Sequence, residues 1–227
     1  MKMRQTFLAA AAVSAGILSA QANTFSAVRS IYTFGDAGEL TATATPNSFL
    51  SGYVPSTILG SGFQTFSAQA DRTFIYGLPY EFDLAQSDSA GHVLTQGAAL
   101  LYYDFSQGIL PGYDYDATDP YGRTQSAGEL QAALWDLQGY ASPGTTYPDG
   151  GAGNTFYDYA TNQLGDDLLA ANNHKFSVDI VELWDVHHNS GQNLLVTTVP
   201  DNATTAALTG LAFVGLIWAR RGPDDWA

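Results

Sequence analysis

The chain has no cysteine at all, so disulfides, thiolate metal sites and a cysteine nucleophile are excluded. It is also poor in positive charge. Eight Lys and Arg face 22 Asp and Glu, for a formal net charge of −14. Between residues 23 and 199 the imbalance is steeper: 19 acidic side chains against Arg29, Arg72, Arg123 and Lys175. Such a surface repels nucleic acid and anionic membrane, and suits solubility or cation-bridged contact outside the cell. Charged residues of either sign are sparse, while Gly and Tyr are frequent, a balance that favours β-rich extracellular architecture over a helical bundle. The chain is long enough to bury a sufficient core without covalent staples.

The two ends carry what the middle lacks, long apolar runs. Lys2 and Arg4 precede the run Phe7 to Ala20, and Ala20-Gln21-Ala22 follows as a small-x-small cleavage pattern. Basic flank, short apolar run and cleavage site in that order predict a signal peptide over residues 1–22, handled by the Sec translocon and signal peptidase. Ala203 to Ala219 is uncharged and reaches the lower limit of the roughly 17–25 residues that span a bilayer as a helix. Arg220 and Arg221 follow at once and would hold that end in the cytoplasm. A short tail, residues 222–227, completes the chain.

Between the ends, residues 23–198 read as one acidic domain without internal repeat or long linker. Strands are predicted at Phe63–Phe66, Phe74–Tyr76 and Tyr80–Leu84, where polar and apolar residues alternate. Three helices follow. Ala98, Leu101, Tyr102 and Phe105 form one apolar face, ended by Gly108 and Pro111. A second helix is expected to start at Ser126, because Ser126-Ala127-Gly128-Glu129 reads as a capping box, and to bury Leu130, Ala133, Leu134 and Leu137. The third should run from Phe156 to Ala171. Phe176, Val178 and Ile180 open a strand expected to reach Val186, turn through Asn189-Ser190-Gly191, and pair back over Leu194–Val199. Strands, then helices, then strands predict an α+β domain with a mainly antiparallel sheet, flanked by the N-terminal signal helix and a C-terminal transmembrane helix.

Val199-Pro200-Asp201, the apolar run and Arg220-Arg221 together resemble the VPDSG-CTERM variant of the PEP-CTERM sorting signal. Asn202 and Ala203 stand where that family has Ser-Gly. The resemblance implies an exported protein of a Gram-negative bacterium, held transiently in the inner membrane. An exosortase-type transpeptidase would then cut it near residues 199–201 and pass it to the cell surface or extracellular matrix, among exopolysaccharide. A second resemblance rests on Gly62-Phe63-Gln64-Thr65-Phe66-Ser67 and Leu130-Gln131-Ala132-Ala133-Leu134-Trp135. These segments resemble thioester-type surface domains, in which a Cys thiol joins a Gln side chain. Ser67 stands where that family carries Cys, and a hydroxyl is a poor nucleophile without a partnered base, so the pair Ser67 and Gln131 is read as vestigial. The alternative role for Gln131 is a helix residue beside Trp135 that hydrogen-bonds a neighbouring strand.

Other candidates come from spacing alone. Asp114, Asp116 and Asp119 share one loop and are spaced as oxygen ligands for Ca²⁺, but without the Gly and distal Glu of an EF-hand; solvated turn aspartates are the other reading. Asp185, His187 and His188 would end a strand. Alternation would put Asp185 and His187 on one face, where they could hold a metal or serve as a general base, and a plain hairpin tip is the other reading. His92 and His174 stand alone. Tyr113, Tyr115, Tyr121 and Tyr140 offer rings for sugar stacking, or for a tyrosine-rich core. No nucleophile elbow, paired glycosidase signature or HExxH is present. The sequence therefore predicts a non-catalytic envelope or matrix protein without a cofactor. A glycan- or calcium-binding adhesion module is the alternative, and a secreted hydrolase the third reading.

Overall fold

The computed structural model describes residues 24–35, 37–45, 50–51, 62–72, 74–140 and 150–198. The predicted signal peptide, the sorting motif, the apolar C-terminal run, Arg220 and Arg221 lie outside the described residues. Among the described residues no helix is long and apolar enough to cross a membrane.

The architecture is an antiparallel sheet with three helices, as the α+β reading expects. The strands are β1 (Thr24–Phe34), β2 (Ala37–Thr45), β3 (Leu50–Ser51), β4 (Phe63–Thr65), β5 (Tyr80–Ala85), β6 (Val178–Trp184) and β7 (Leu194–Thr198). Their spatial order is β3-β7-β6-β5-β1-β2-β4, every pairing antiparallel. Beyond β4 the chain continues through Phe66, Ser67 and Ala68, which pair with the start of β7. Leu195 N–H donates to Phe66 O at 3.0 Å, and Ala68 N–H to Asn193 O at 2.8 Å. That contact joins β7, β6, β5, β1, β2 and β4 into a ring, which satisfies edge groups that an open sheet would leave bare.

Closure gives the sheet two buried faces. Phe25, Ala27, Leu40, Ala42, Phe63, Phe82, Val181, Leu183, Leu194 and Val196 form the inner cluster. Phe25 meets Phe63 and Phe82 edge-on, with ring centroids 6.3 and 5.9 Å apart. The other face carries Tyr32, Phe66, Val178, Ile180 and Leu195 and packs under the helices.

The helices are α1 (Gln96–Ser106), α2 (Pro120–Leu137) and α3 (Thr155–Leu164). Thr95 caps α1, accepting from Ala98 N–H at 3.2 Å. The predicted start of α2 at Ser126 is wrong by about two turns. Asp119 is the N-cap and Pro120 the first helical residue, a pairing that favours initiation because proline lacks the N–H a first turn leaves unpaired. Ser126 lies inside the helix, where its hydroxyl accepts from Asp114 N–H at 3.2 Å. The predicted stripe is correct: Leu130, Ala133, Leu134 and Leu137 are all buried. The third helix is shorter than expected. It ends at Leu164, and a 3-10 turn over Gly165–Asp167 follows, with Gly165 at φ 54°.

Three strand readings also change. Phe74–Tyr76 is no strand; the Tyr80 hydroxyl binds both Ile75 N–H and Ile75 O in place of a ladder partner. β6 stops at Trp184 rather than Val186, because Asp185 accepts from His187 N–H, Asn189 N–H and the Asn189 amide, closing the turn early. The two longest strands, β1 and β2, gave little alternation to read. Between Arg29 and Thr33 the register shifts, so the buried set changes phase from Phe25 and Ala27 to Ser30 and Tyr32. Gly38 serves this irregularity: at φ 112°, a Cβ would stand 2.6 Å from Tyr32 O.

Candidate functional site

The ring closes at Ser67, and α2 lies across that point. Antiparallel pairing sends the main chain of Phe66 and Ala68 toward β7, which leaves the Ser67 peptide groups facing the helix. Gln131 meets them. Its Oε1 accepts from Ser67 N–H at 2.9 Å and its Nε2 donates to Ser67 O at 2.8 Å. One carboxamide thus acts as a strand of one residue. Gln138, the C-cap of α2 two turns later, donates from Nε2 to Ala68 O at 3.1 Å. Both Ser67 and Gln131 are buried.

The two residues singled out by the second resemblance are therefore in contact, through the Ser67 main chain. The Ser67 hydroxyl turns elsewhere, donating to Gln69 O at 2.5 Å and accepting from Gln69 N–H at 3.1 Å. Its hydrogen bonds include no imidazole or carboxylate that would take its proton. The geometry matches the alternative reading of Gln131, a helix residue bonded to a neighbouring strand.

A second buried polar group had no forecast. Glu39 of β2 and Arg123 of α2 form a bidentate pair, Nε to Oε1 at 2.7 Å and Nη2 to Oε2 at 2.9 Å. The Tyr113 hydroxyl donates to Glu39 Oε1 at 2.5 Å. The Tyr32 ring lies 4.2 Å from the guanidinium carbon, a cation–π contact. Gln64 completes the set when its amide is assigned with the nitrogen toward Glu39, the orientation in which it donates to Glu39 Oε2 at 3.2 Å and Leu40 O at 3.1 Å. Burial opposes charge on Arg123, but the hydrogen bonds and charge of Glu39 outweigh it and raise the guanidinium pKa. Burial and the Glu39 charge hold the Tyr113 phenol protonated far into the alkaline range. One signal in the sequence pointed here. Arg123 precedes Ala127, Leu130 and Leu134 on the buried stripe, where a cation needs a partner.

A third group surrounds Asp88. Its carboxylate accepts from Tyr140 Oη at 2.5 Å and from the Ala90 and His92 N–H groups at 2.9 Å each. His92 Nδ1 stands 3.4 Å from it without making a hydrogen bond, and His174 Nδ1 stands 3.4 Å from Asp179.

The carboxylates of the acidic loop are engaged by nearby main chain. Asp114 accepts from Asp116 N–H, Asp116 from Thr118 N–H and hydroxyl, and Asp119 from Tyr121 and Gly122 N–H as the helix cap. The Asp114 and Asp119 carboxylates both lie against Gly122, where a Cβ would collide with Oδ2 of Asp114 and stand 3.0 Å from Oδ2 of Asp119. Among the described residues no group of three or more His, Asp or Glu side chains is placed to hold a metal. Asp185 and His187 lie in the turn after β6, not on a strand face. Of the four tyrosines, Tyr113 and Tyr140 are buried and Tyr115 half-buried, the first and third joined by a 4.7 Å ring contact. Tyr121 alone of the four is open, 80% exposed.

No family model matches this chain, and no curated protein or solved structure matches it either.

Proposed function

We propose that this chain is a non-catalytic protein of the cell envelope or extracellular matrix. The Sec translocon would export it, signal peptidase would trim it, and an exosortase-type transpeptidase would sort it through its C-terminal region. One observation carries the reading most directly. The last strand, β7, ends at Thr198, and Val199-Pro200-Asp201 follows immediately. In the sequence the motif begins at the residue after the last described strand, and Pro200 has no N–H with which a ladder could be extended.

Two features support the absence of catalysis. The Ser67 hydroxyl is engaged by the Gln69 main chain, and the Gln131 amide is held flat against a peptide. The acidic side chains of the candidate calcium loop serve turns and a cap. Of the two adhesion alternatives, a glycan ligand is favoured over calcium by the exposed Tyr121, argued below.

The test is C-terminal mass spectrometry of surface material beside membrane fractionation. Mature protein should lack everything beyond the region of Val199–Asp201. Deleting exosortase, or changing Pro200→Ala, should leave an uncut, membrane-retained form. Surface protein that still carries Leu208 to Arg221 in both strains would overturn the sorting reading.

A further inference from the structure

The outward side of α2 meets the end of β1 in a shallow open cavity of about 180 Å³, lined by Phe34, Tyr121, Thr124, Gln125 and Glu129. The helical residues recur at three-, four- and eight-residue intervals from Tyr121, so they share the face opposite the buried stripe. Two aromatic side chains are open to solvent here, Tyr121 at 80% and Phe34 at 40%. Phe34 is seated by Gly128: a Cβ at that position would stand 2.8 Å from Phe34 Cβ, so only glycine lets the side chain lie against the helix. Along the same face, Gln125 Nε2 donates to Glu129 Oε1 at 3.3 Å, which sets an amide and a carboxylate side by side.

We propose that this groove is a subsite for one neutral pyranose ring of a polysaccharide. A pyranose has an apolar C–H face and a rim of hydroxyls. Exposed aromatic rings supply a flat apolar surface at low entropic cost. The amide and carboxylate supply a donor and acceptors for adjacent hydroxyls. The cavity is smaller than the roughly 300–1,000 Å³ of enclosed small-molecule pockets, and it is open, which suits one residue of a chain lying along the surface. Glu129 lies in the lining, no Lys or Arg does, and the domain is strongly acidic, so uronic acids and sulfated sugars are disfavoured. This assignment deepens the matrix reading by naming a ligand class, and rests on that reading for its setting, not for the binding itself.

The experiment titrates the purified full-length chain with cellohexaose, maltohexaose and mannohexaose, with oligogalacturonate as the acidic comparator, read by saturation-transfer NMR. At least one neutral hexaose should bind, with a Kd on the order of 1 mM. Tyr121→Ala should weaken it about tenfold, a loss matching one aromatic stacking contact. Tyr121→Phe should keep it, and Gln125→Ala with Glu129→Ala should weaken it. Tyr121 is largely exposed, so the variant should melt as the parent does. Failure of every neutral hexaose to bind, equal binding by Tyr121→Ala, or binding of oligogalacturonate alone would overturn the proposal. A chain that binds a hexaose through Tyr121 yet is never exported would sink the sorting reading and leave the subsite standing. An exported chain that binds none would do the reverse.

Discussion

Within the ring, the sheet is packed with Phe25, Phe63, Phe82, Val181 and Leu183; beneath α2, the same sheet presents Glu39, Thr41 and Gln64 and receives Arg123 and Gln131. Both faces are buried, but by different chemistry. The inner face needs only shape and apolar volume, because those side chains carry no polar group. The outer face holds charges and amides that tolerate burial only when each finds its partner. The difference teaches where specificity resides. An apolar interior accepts many repackings, whereas a bidentate ion pair and a two-point amide contact fix the helix against the sheet in one register.

The largest effect that would break this contrast is loss of one partner of the buried ion pair. Arg123→Met should cost about 3–5 kcal/mol by leaving Glu39 charged and unpaired. Adding Glu39→Leu should recover much of that loss, since two apolar groups of similar volume remove the uncompensated charge. Urea unfolding of the singles and the double gives the cycle. Strictly additive losses would mean the pair does not act as a unit.

The inner face should answer to volume alone. Leu183→Ala is expected to cost about 3 kcal/mol through the cavity it leaves, with little change between low and high salt. A strong salt dependence would show that the inner cluster is not the dry region described.

Gln131→Ala should cost about 2 kcal/mol, because it leaves a buried N–H and a buried C=O of Ser67 unpaired. The same contact sharpens the chemical reading. Intact mass of the parent chain should show no loss of ammonia at Ser67 and Gln131. A deficit localised there would mean a covalent ester and would make the chain a covalent adhesin.

The smallest effect concerns charge. Glu182 faces Asp83 directly across β5 and β6. Burial, then the charges of Asp83 and Asp88, raise its pKa. A carboxyl raised in the folded state contributes most below its unfolded pKa and loses that contribution as pH climbs through the folded value. Glu182→Gln should therefore stabilise the domain at neutral pH by about 0.5 kcal/mol, solvent screening this half-buried site. The gain should vanish in acid below the ordinary carboxylate range. A gain that persists there would assign the effect to packing instead.

Much of the fold was legible because periodicity reports burial. The stripe Leu130, Ala133, Leu134 and Leu137 lies where its spacing put it. Tyr80 and Phe82 of β5 are buried as its alternation expects, while Leu84 is exposed. β6 is buried on both faces, Val178 and Ile180 on one and Val181 and Leu183 on the other. The start of α2 was misread because Ser126-x-x-Glu129 has the form of a cap. Asp119-Pro120, the true start, lay among acidic residues read as a loop. The β1–β2 hairpin stayed hidden because a register shift breaks the alternation of β1 and because β2 is buried on both faces over residues 37–42. Of the sites, Ser67 and Gln131 were paired in advance, but the atoms that meet were not the ones a thioester would use.

By itself the sequence determined the absence of thiol chemistry, the acidic surface, the helical stripe and the closing hairpin. Those depend on composition and on short-range periodicity, which a linear string contains. Only the tertiary structure decided that the sheet closes at Ser67, that Glu39 finds Arg123, and that Phe34 and Tyr121 flank one groove. Each of these joins residues more than 60 positions apart, and the hydrogen bonds and packing that join them exist only once the chain has folded.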